Sequence, residues 1–313
     1  MSDLVDRVRA TGLLPPGAAV VVLLSGGRDS VCLLDVAARI TGPDGVVALH
    51  VNHGLRGEES DGDEAHCRAL TAALGVEIVV ERSGPAPRSG NLQAWARDHR
   101  LSAAAGLATA RGARVATGHT MSDQAETVLY RLAASPGRRA LLGMSPHDGV
   151  LVRPLLDVSR EETAAHCRER GLAWREDSSN TSPEYARART RDGLVPALRA
   201  LHPAAERNVA RTAQILREEA EVLDGLVATV LDGRDHVGTE HLAILPPALA
   251  RLVVRRLAED AAGRLCPRAP GRLTELLALH DGALDVGEGV RAVVSGGELR
   301  MERTPPLGGR DSE

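Results

Sequence analysis

Residues 17–40 read GAAVVVLLSGGRDSVCLLDVAARI, in which an apolar run, a short polar loop and a second apolar segment follow one another. The β-branched run from Gly17 to Leu24 is typical of a strand that is buried on both faces of a sheet. From Ser30 to Ile40 the apolar residues recur at helical spacing, which predicts a helix. We therefore expect a strand–loop–helix unit whose loop is Ser25-Gly26-Gly27-Arg28-Asp29-Ser30.

The same alternation continues along the chain. Strands are predicted over residues 46–51, 76–80 and 114–117, and helices over residues 61–74, 92–110 and 124–133. Four successive strand–helix pairs are typical of an α/β fold with a doubly wound parallel sheet, in which helices cover both faces. Ligands bind beyond the carboxyl ends of the strands in such sheets, and the polar loop lies at that position.

The residue types in this loop are suited to binding an anion. Gly26 and Gly27 let backbone N–H groups approach a phosphate, and the start of the following helix adds its positive dipole end. Ser25 and Ser30 can donate hydroxyl hydrogen bonds, while Asp29 can cap the helix or help to hold a metal ion. A tight turn without a ligand is the weaker alternative, because the serines and glycines stand at the ligand edge of the sheet.

Composition and charge exclude several classes of protein. The 313 residues suggest about two domains, and all 38 basic residues are arginines, so any positive side chain at a phosphate must be Arg. A formal net charge of −4 argues against a global basic field. The apolar runs are short, MSDLVDRVRA lacks signal-peptide features, and the four cysteines are widely spaced, so we expect a cytoplasmic protein with no membrane partner.

The C-terminal third is predicted to contain a helical linker and a second, smaller α/β domain. Residues 203–231 show one long amphipathic pattern. Helices around 246–260 and 271–280 and a pair of strands at 290–294 and 298–301 follow it. The expected parts are therefore residues 1–202, 203–232 and 233–313.

Several segments resemble known families. SGGRDS at 25–30 matches the SGGxDS loop of the N-type ATP pyrophosphatases, which alone leaves GMP synthetases, asparagine synthetases and tRNA thiolases open. Four later segments narrow the choice: LHVNHGLR (49–56), TGHTMSDQAETVL (117–129), VRPLLDVS (152–159) and GLAWREDSSNTSPEYARARTRDGLVPAL (171–198). Over residues 18–210 the chain thereby resembles the tRNA(Ile)-lysidine synthetases, which implies an adenine nucleotide α-hydrolase-like fold.

The resemblance implies an ATP-dependent ligase. Such an enzyme adenylates C2 of the wobble cytidine, position 34, in tRNA(Ile) with a CAU anticodon, and free L-lysine then displaces AMP to form lysidine. ATP and Mg²⁺ are the implied cofactors, and the C-terminal region would help to hold the tRNA. A homodimer is compatible with the resemblance.

The resemblance also carries over residue by residue. It makes Asp29, Asp123 and Glu126 the candidate catalytic residues, with Asp29 and Asp123 as candidate Mg²⁺ ligands. The candidate ATP-binding residues are Ser25, Gly26, Gly27, Arg28, Asp29, Ser30, His53 and His119. The candidate tRNA-binding residues are Arg97, Arg187, Arg189 and Arg191.

These assignments have structural alternatives. Asp123 and Glu126, three residues apart, can share one face at a helix start, where a carboxylate pair also suits the helix dipole. His53 and His119 can be structural hydrogen-bonding residues. Residues 187–217 carry seven arginines against two acidic residues, which is typical of a patch that binds tRNA phosphates or of a solvated helical face.

The chain also departs from the family pattern. Ser122 stands where the family usually has a first aspartate, Ala133-Ala134-Ser135-Pro136-Gly137 replaces an Arg-Gly-rich loop, and Ala188 replaces an asparagine. A degenerate relative that binds ATP or tRNA without completing the reaction is therefore an alternative, as is a different tRNA-modifying ATP pyrophosphatase. Without CxxC pairs, an iron–sulfur thiolase is disfavoured, and the spacing of His66-Cys67 and His166-Cys167 does not suit zinc.

Overall fold

The computed structural model describes residues 4–84, 87, 91–135, 137–176 and 186–305, with the side chains of residues 186 and 187 excepted. The strands in these ranges are β1 (Val20–Leu23), β2 (Val46–Asn52), β3 (Glu77–Arg82), β4 (Arg114–Ala116), β5 (His147–Asp148), β6 (Leu151–Val152), β7 (His236–Gly238), β8 (Gly282–Gly287), β9 (Val290–Ser295) and β10 (Glu298–Arg303).

The α-helices of the same ranges are α1 (Leu4–Ala10), α2 (Arg28–Thr41), α3 (Glu58–Leu74), α4 (Leu92–Arg111), α5 (Met121–Ala134), α6 (Arg138–Leu141), α7 (Arg160–Glu169), α8 (Ala186–Arg189), α9 (Val195–Leu201), α10 (Ala205–Leu231), α11 (Thr239–Ile244), α12 (Pro247–Ala262) and α13 (Leu273–Ala278). Short 3₁₀ turns lie at Pro43–Gly45 and Ala269–Arg272, and a π-helical turn lies at Thr190–Leu194.

In the described part of the chain, the first six strands form one sheet in the order β3-β2-β1-β4-β6-β5. All neighbours pair in parallel except β5, which runs antiparallel to β6 at the edge. The predicted parallel sheet is thus confirmed. The edge hairpin was missed because strands of two residues leave no hydrophobic pattern.

Helices cover both faces of this sheet. Side chains alternate across a strand, so Val20 and Val22 pack into a core with α1, α2, α3 and α7, whereas Val21 packs on the opposite face. There it meets Ala104 and Ala108 of α4. The strand order reverses between β1 and β4, which opens a crevice beyond their carboxyl ends.

The observed helix starts differ from the predicted ones where a cap decides them. Helix α5 begins at Met121 instead of 124, because Thr120 and Asp123 form a reciprocal capping box. Helix α7 has the same device, built from Ser159 and Glu162, and no helix was predicted there. Its pattern Ser159-Arg160-Glu161-Glu162 is the signal that could have revealed it.

The chain divides into two compact units, residues 1–216 and 217–313, with the boundary inside α10. The helix predicted over 203–231 is observed as Ala205–Leu231. The division into 1–202, 203–232 and 233–313 stays a prediction about the roles of the parts.

The second unit contains its own core, in which α12 packs on an antiparallel sheet of order β7-β10-β9-β8 in the described residues. The predicted pair β9 and β10 is confirmed, and β7 and β8 extend it. None of the helices in the described ranges is long and apolar enough to cross a membrane.

Candidate functional site

The loop from Ser25 to Ser30 joins β1 to α2, and its two serines determine its shape. Ser30 Oγ accepts a hydrogen bond from the Ser25 N–H at 3.2 Å and donates one to the Gly27 carbonyl at 2.8 Å. Ser25 Oγ lies 3.1 Å from Ser30 Oγ and accepts from the Gly27 N–H at 3.3 Å. Gly26 has φ +84°, a left-handed conformation that glycine adopts without strain.

The first turn of α2 is left open by this geometry. Its N-cap is Gly27, and no described side chain caps the helix. N–H groups at an uncapped helix start are suited to binding an anion. The sequence left two roles open for Asp29, a helix cap or a metal ligand. It does not cap α2, since its Oδ1 accepts hydrogen bonds from Thr163 Oγ1 of α7 and from Arg28 Nε at 3.0 Å.

A second loop, between β4 and α5, lies directly against the first. A Cβ atom on Gly118 would lie 2.9 Å from the carbonyl carbon and oxygen of Asp29 and 3.0 Å from the Ser30 nitrogen. Because real Cβ atoms do not approach backbone so closely, only glycine lets the two loops meet. His119 follows in this loop, with its Nδ1 2.8 Å from Thr117 Oγ1.

Asp123 and Glu126 lie on one face of α5 and contact the same arginine, Arg160. Arg160 Nη2 donates to Asp123 Oδ1 and Arg160 Nη1 to Glu126 Oε1, each at 2.7 Å. The other Asp123 oxygen, Oδ2, accepts from the N–H and the hydroxyl of Thr120, each at 2.8 Å. Glu126 is only 2% exposed, so its charge depends on this arginine.

The charge of Arg160 also interacts with that of Asp29 in the first loop. Burial lowers the pKa of its guanidinium, but Asp123, Glu126 and Asp29 outweigh burial and raise the pKa above its usual value. Arg160 is therefore a fixed cation among the three predicted catalytic carboxylates. The prediction missed it, although an arginine in the first turn of a helix opposes the helix dipole and so signals a partner elsewhere.

His53 lies beyond the carboxyl end of β2 in an aromatic cluster. Its Nδ1 is 3.1 Å from Ser83 Oγ, and its ring centroid is 5.3 Å from that of Trp95 and 5.6 Å from that of His99. Burial, together with the neighbouring Arg100 and histidines, lowers the pKa of His53 to about 4. Its Nε2 is buried without a hydrogen-bond partner among the described residues.

The predicted tRNA-binding arginines lie on different elements. Arg97 is exposed on α4, and its charge adds to burial in lowering the pKa of Arg153. Arg189 is exposed at the end of α8, and Arg191 in the π-helical turn pairs with Asp192 at 3.0 Å. The side chain of Arg187 lies outside the described residues.

Arg175, which the sequence interpretation missed, connects the chain after α7 to the first loop. The Arg175 N–H donates to the Gly26 carbonyl at 3.0 Å, and its side chain pairs with Asp63 of α3. Asp63 also accepts from Arg56 at 2.7 Å. The loop is thus held from α3 as well as from α7.

The positions where the chain departs from the family also have a place in the structure. Ser122 is buried, and its hydroxyl has no hydrogen-bond partner among the described residues.

Other polar residues near these positions have structural contacts. Gln124 exchanges two hydrogen bonds with the backbone of Met144, at 2.8 and 2.6 Å. Of the His-Cys pairs, His166 contacts Asp35 at 2.8 Å, and Cys67 contacts His50 at 3.4 Å.

Comparison with known proteins is consistent with this geometry. The PP-loop domain family matches residues 6–198. The tRNA(Ile)-lysidine synthase of Symbiobacterium thermophilum is 36% identical over 99% of this chain and 71% of its own length. That of Salinispora arenicola is 39% identical over 85% of this chain and 82% of its own length. That of Solibacter usitatus is 41% identical over 80% of this chain, which spans only 58% of that relative.

A similar fold occurs in a solved structure, the U34-tRNA thiolase NcsA from Methanococcus maripaludis with its iron–sulfur cluster. The TM-score is 0.58 at 19% identity, over 69% of this chain and 78% of that one. At this identity the likeness concerns the fold alone.

Proposed function

The chain belongs to the tRNA(Ile)-lysidine synthase family, and we propose that it uses ATP to join L-lysine to C2 of the wobble cytidine in tRNA(Ile) with a CAU anticodon. In the first step the cytidine O2 attacks the α-phosphorus of ATP and pyrophosphate leaves. In the second, the lysine amine attacks C2 and loses a proton, and AMP leaves with the oxygen.

The observation that carries this proposal is the uncapped start of α2, which lies beside the carboxylates Asp123 and Glu126 and their shared partner Arg160. The first step needs donors for the leaving pyrophosphate. The N–H groups after Gly27 and the hydroxyl of Ser25 can supply them, while the hydroxyl of Ser30 is engaged with the Gly27 carbonyl. Arg28 adds the positive side chain that no lysine can provide in this chain.

The second step needs a base for the lysine amine. Asp123 and Glu126 lie at the start of α5, and Arg160 holds both in position. We propose that Asp123 accepts the proton, because its side chain is more exposed than that of Glu126, 14% against 3%. Glu126 then serves to hold Arg160.

The donor set fits a Mg²⁺ ion shared with ATP. Mg²⁺ is usually bound by one or two carboxylates plus substrate phosphates and waters. Asp29 would be its first ligand, since its Oδ2 lies 3.5 Å from the nearest Arg28 nitrogen and is the less engaged oxygen. Asp123 would join only by exchanging one of its present partners. When bound, the ion would offset the charge that develops on the phosphates.

Product analysis tests the proposal. We expect radiolabelled ATP to yield AMP and pyrophosphate, and only when tRNA is present. ADP as the main tRNA-dependent product would contradict it.

Transfer of radiolabelled lysine separates the alternatives. We expect incorporation into tRNA(Ile) with a CAU anticodon and not into an elongator tRNA with the same anticodon. A degenerate relative would bind ATP or tRNA without transferring lysine, and a thiolase would instead add sulfur, which the mass of the modified nucleoside reveals. The match across most of the relatives' length and the intact loop favour the lysine ligase.

The basic segment offers a test of the tRNA-binding residues. Replacing Arg187, Arg189 and Arg191 together by Gln should weaken tRNA binding and flatten its salt dependence, by roughly one unit of slope per lost phosphate contact. ATP binding should survive. An unchanged slope would make this segment a solvated face.

A homodimer also stays a prediction, which sedimentation of the free and tRNA-bound chain would check.

A further inference from the structure

A cleft of about 320 Å³ lies beside the C-terminal half of α5. It is lined by Tyr130, Ala133, Ala134, Arg189, Thr190 and Leu194, and is called the Tyr130 cleft below. Tyr130 and Leu194 are each 43% exposed, and the two alanines are too small to fill the space beside the Tyr130 ring. The result is an aromatic face with open, apolar room next to it.

The wall of the cleft opposite Tyr130 is formed by a π-helical turn. The π-helical turn Thr190–Leu194 stands between α8 and α9 and places Leu194 in the cleft. Such turns are rare and occur frequently at functional sites. Arg189 and Thr190 are the polar residues in a lining that is otherwise made of tyrosine, alanine and leucine. A flat group with a polar edge, such as a nucleobase, suits this combination.

The position of the cleft relates it to the candidate catalytic residues. Tyr130 follows Glu126 by four residues and Asp123 by seven, so it lies one and two turns further along α5. The rise from Asp123 to Tyr130 is about 10 Å. Adjacent nucleotides of one RNA strand can span such a distance.

The charges nearby suit RNA better than an apolar partner. Arg131 follows Tyr130 in sequence, is exposed and donates to the Gly143 carbonyl. Arg189 lines the other wall, and Arg191, paired with Asp192, lies in the adjoining π-helical turn. Arginines around an aromatic slot are typical of sites where a base stacks while its phosphates are neutralised.

We infer that the Tyr130 cleft holds the base of a nucleotide next to the reacting cytidine, stacked on the Tyr130 ring. This inference rests on the proposed function, because it takes the cytidine to lie at Asp123. Stacking there would hold the anticodon strand open and fix the register of the target base.

Binding of an anticodon stem-loop RNA, measured by fluorescence anisotropy, tests the inference. With intact RNA, Tyr130→Ala should lose roughly tenfold in affinity, as expected for one stacked base, and Tyr130→Phe should retain it. RNA that lacks the base on one side of the target cytidine should bind the wild type about tenfold more weakly, yet bind Tyr130→Ala no more weakly than intact RNA does. Leu132→Ala is the matched control, because Leu132 is 56% exposed on the same helix and outside the cleft lining.

A second variant tests the cleft independently of whether Tyr130→Ala folds. Ala134→Leu keeps the tyrosine and fills the cleft, so it should lose affinity to a similar extent for intact RNA only. If both variants bind intact RNA like the wild type, or if the loss is the same for intact and base-lacking RNA, the inference is overturned. Lysine transfer by the wild type is assayed separately, so failure of the proposed function is recognised by its own readout.

Discussion

Two helix starts lie side by side at the crevice of the sheet and are built in opposite ways. Helix α2 begins after Gly27, without a side-chain cap, so its first N–H groups can bind an anion. Helix α5 begins after Thr120 with a full capping box, and its carboxylates are held by Arg160. One helix end is therefore open to an anion, whereas the carboxylates of the other are paired within the protein.

The largest effect on activity is expected where the two starts touch. Gly118→Ala would place a Cβ 2.9 Å from the Asp29 backbone and push the loops apart. We expect ATP consumption to fall about 100-fold, as a displacement of reacting groups by about 1 Å causes. Gly106→Ala in α4 is the matched control, since its Cβ would meet nothing within 4 Å. Wild-type turnover of Gly118→Ala would show that the contact between the loops is not needed.

The second prediction removes the cation that pairs with the two carboxylates of α5. Arg160→Gln removes the Arg160 guanidinium from the buried Glu126, which should cost about 3–5 kcal/mol in the free energy of unfolding. Urea denaturation measures this. Arg256→Gln is the control: its pair with Asp260 is exposed, so about 1 kcal/mol or less should be lost. Equal losses in both variants would mean that Glu126 does not depend on Arg160.

Asp123→Asn sharpens the comparison by changing one carboxylate of α5 alone. The amide has a single acceptor oxygen, so it cannot satisfy both Thr120 and Arg160, and we expect a stability loss of about 1 kcal/mol. Pyrophosphate release should persist while AMP release slows, because an amide cannot accept the proton from lysine.

Single-turnover assays that follow pyrophosphate and AMP separately measure the two steps. Loss of pyrophosphate release would instead assign Asp123 to the metal. Wild-type rates for both steps would reduce Asp123 to a helix cap.

The smallest effect is on the pH dependence of stability. It comes from His53, which lies outside both helix starts. The pKa of His53 is lowered to about 4 in the folded protein, below the usual value of 6.5, mainly by burial. The unfolded chain therefore binds a proton first as the pH falls, so this group's contribution to stability is complete above pH 6.5 and is lost toward pH 4. In the wild type, the free energy of unfolding should fall by about 1 kcal/mol more between pH 6.5 and 4 than in His53→Asn. The difference is this small because the site is partly solvated. Thermal unfolding at pH 7 and 5 tests this, with His241→Asn as a control.

Much of the fold was predictable because it depends on local patterns. The apolar run before Ser25 and the helical spacing after Ser30 located β1, α2 and the loop between them within a few residues. The spacing of Asp123 and Glu126 likewise placed them on one face of α5. The edge hairpin of β5 and β6 and the helix α7 were missed, one because it is too short to show a period and the other because its capping pattern was overlooked.

The sequence by itself determined the parallel sheet, the polar loop at its ligand edge and the identity of the candidate residues, since hydrophobic periodicity and glycine-rich turns act over a few neighbouring residues. Only the tertiary structure decided what these residues contact. Arg160 joins Asp123 across 37 positions of the chain, and Thr163 reaches Asp29 across 134. Periodicity carries no information about such pairs, because they form only when the order of strands brings the ends of β1 and β4 together.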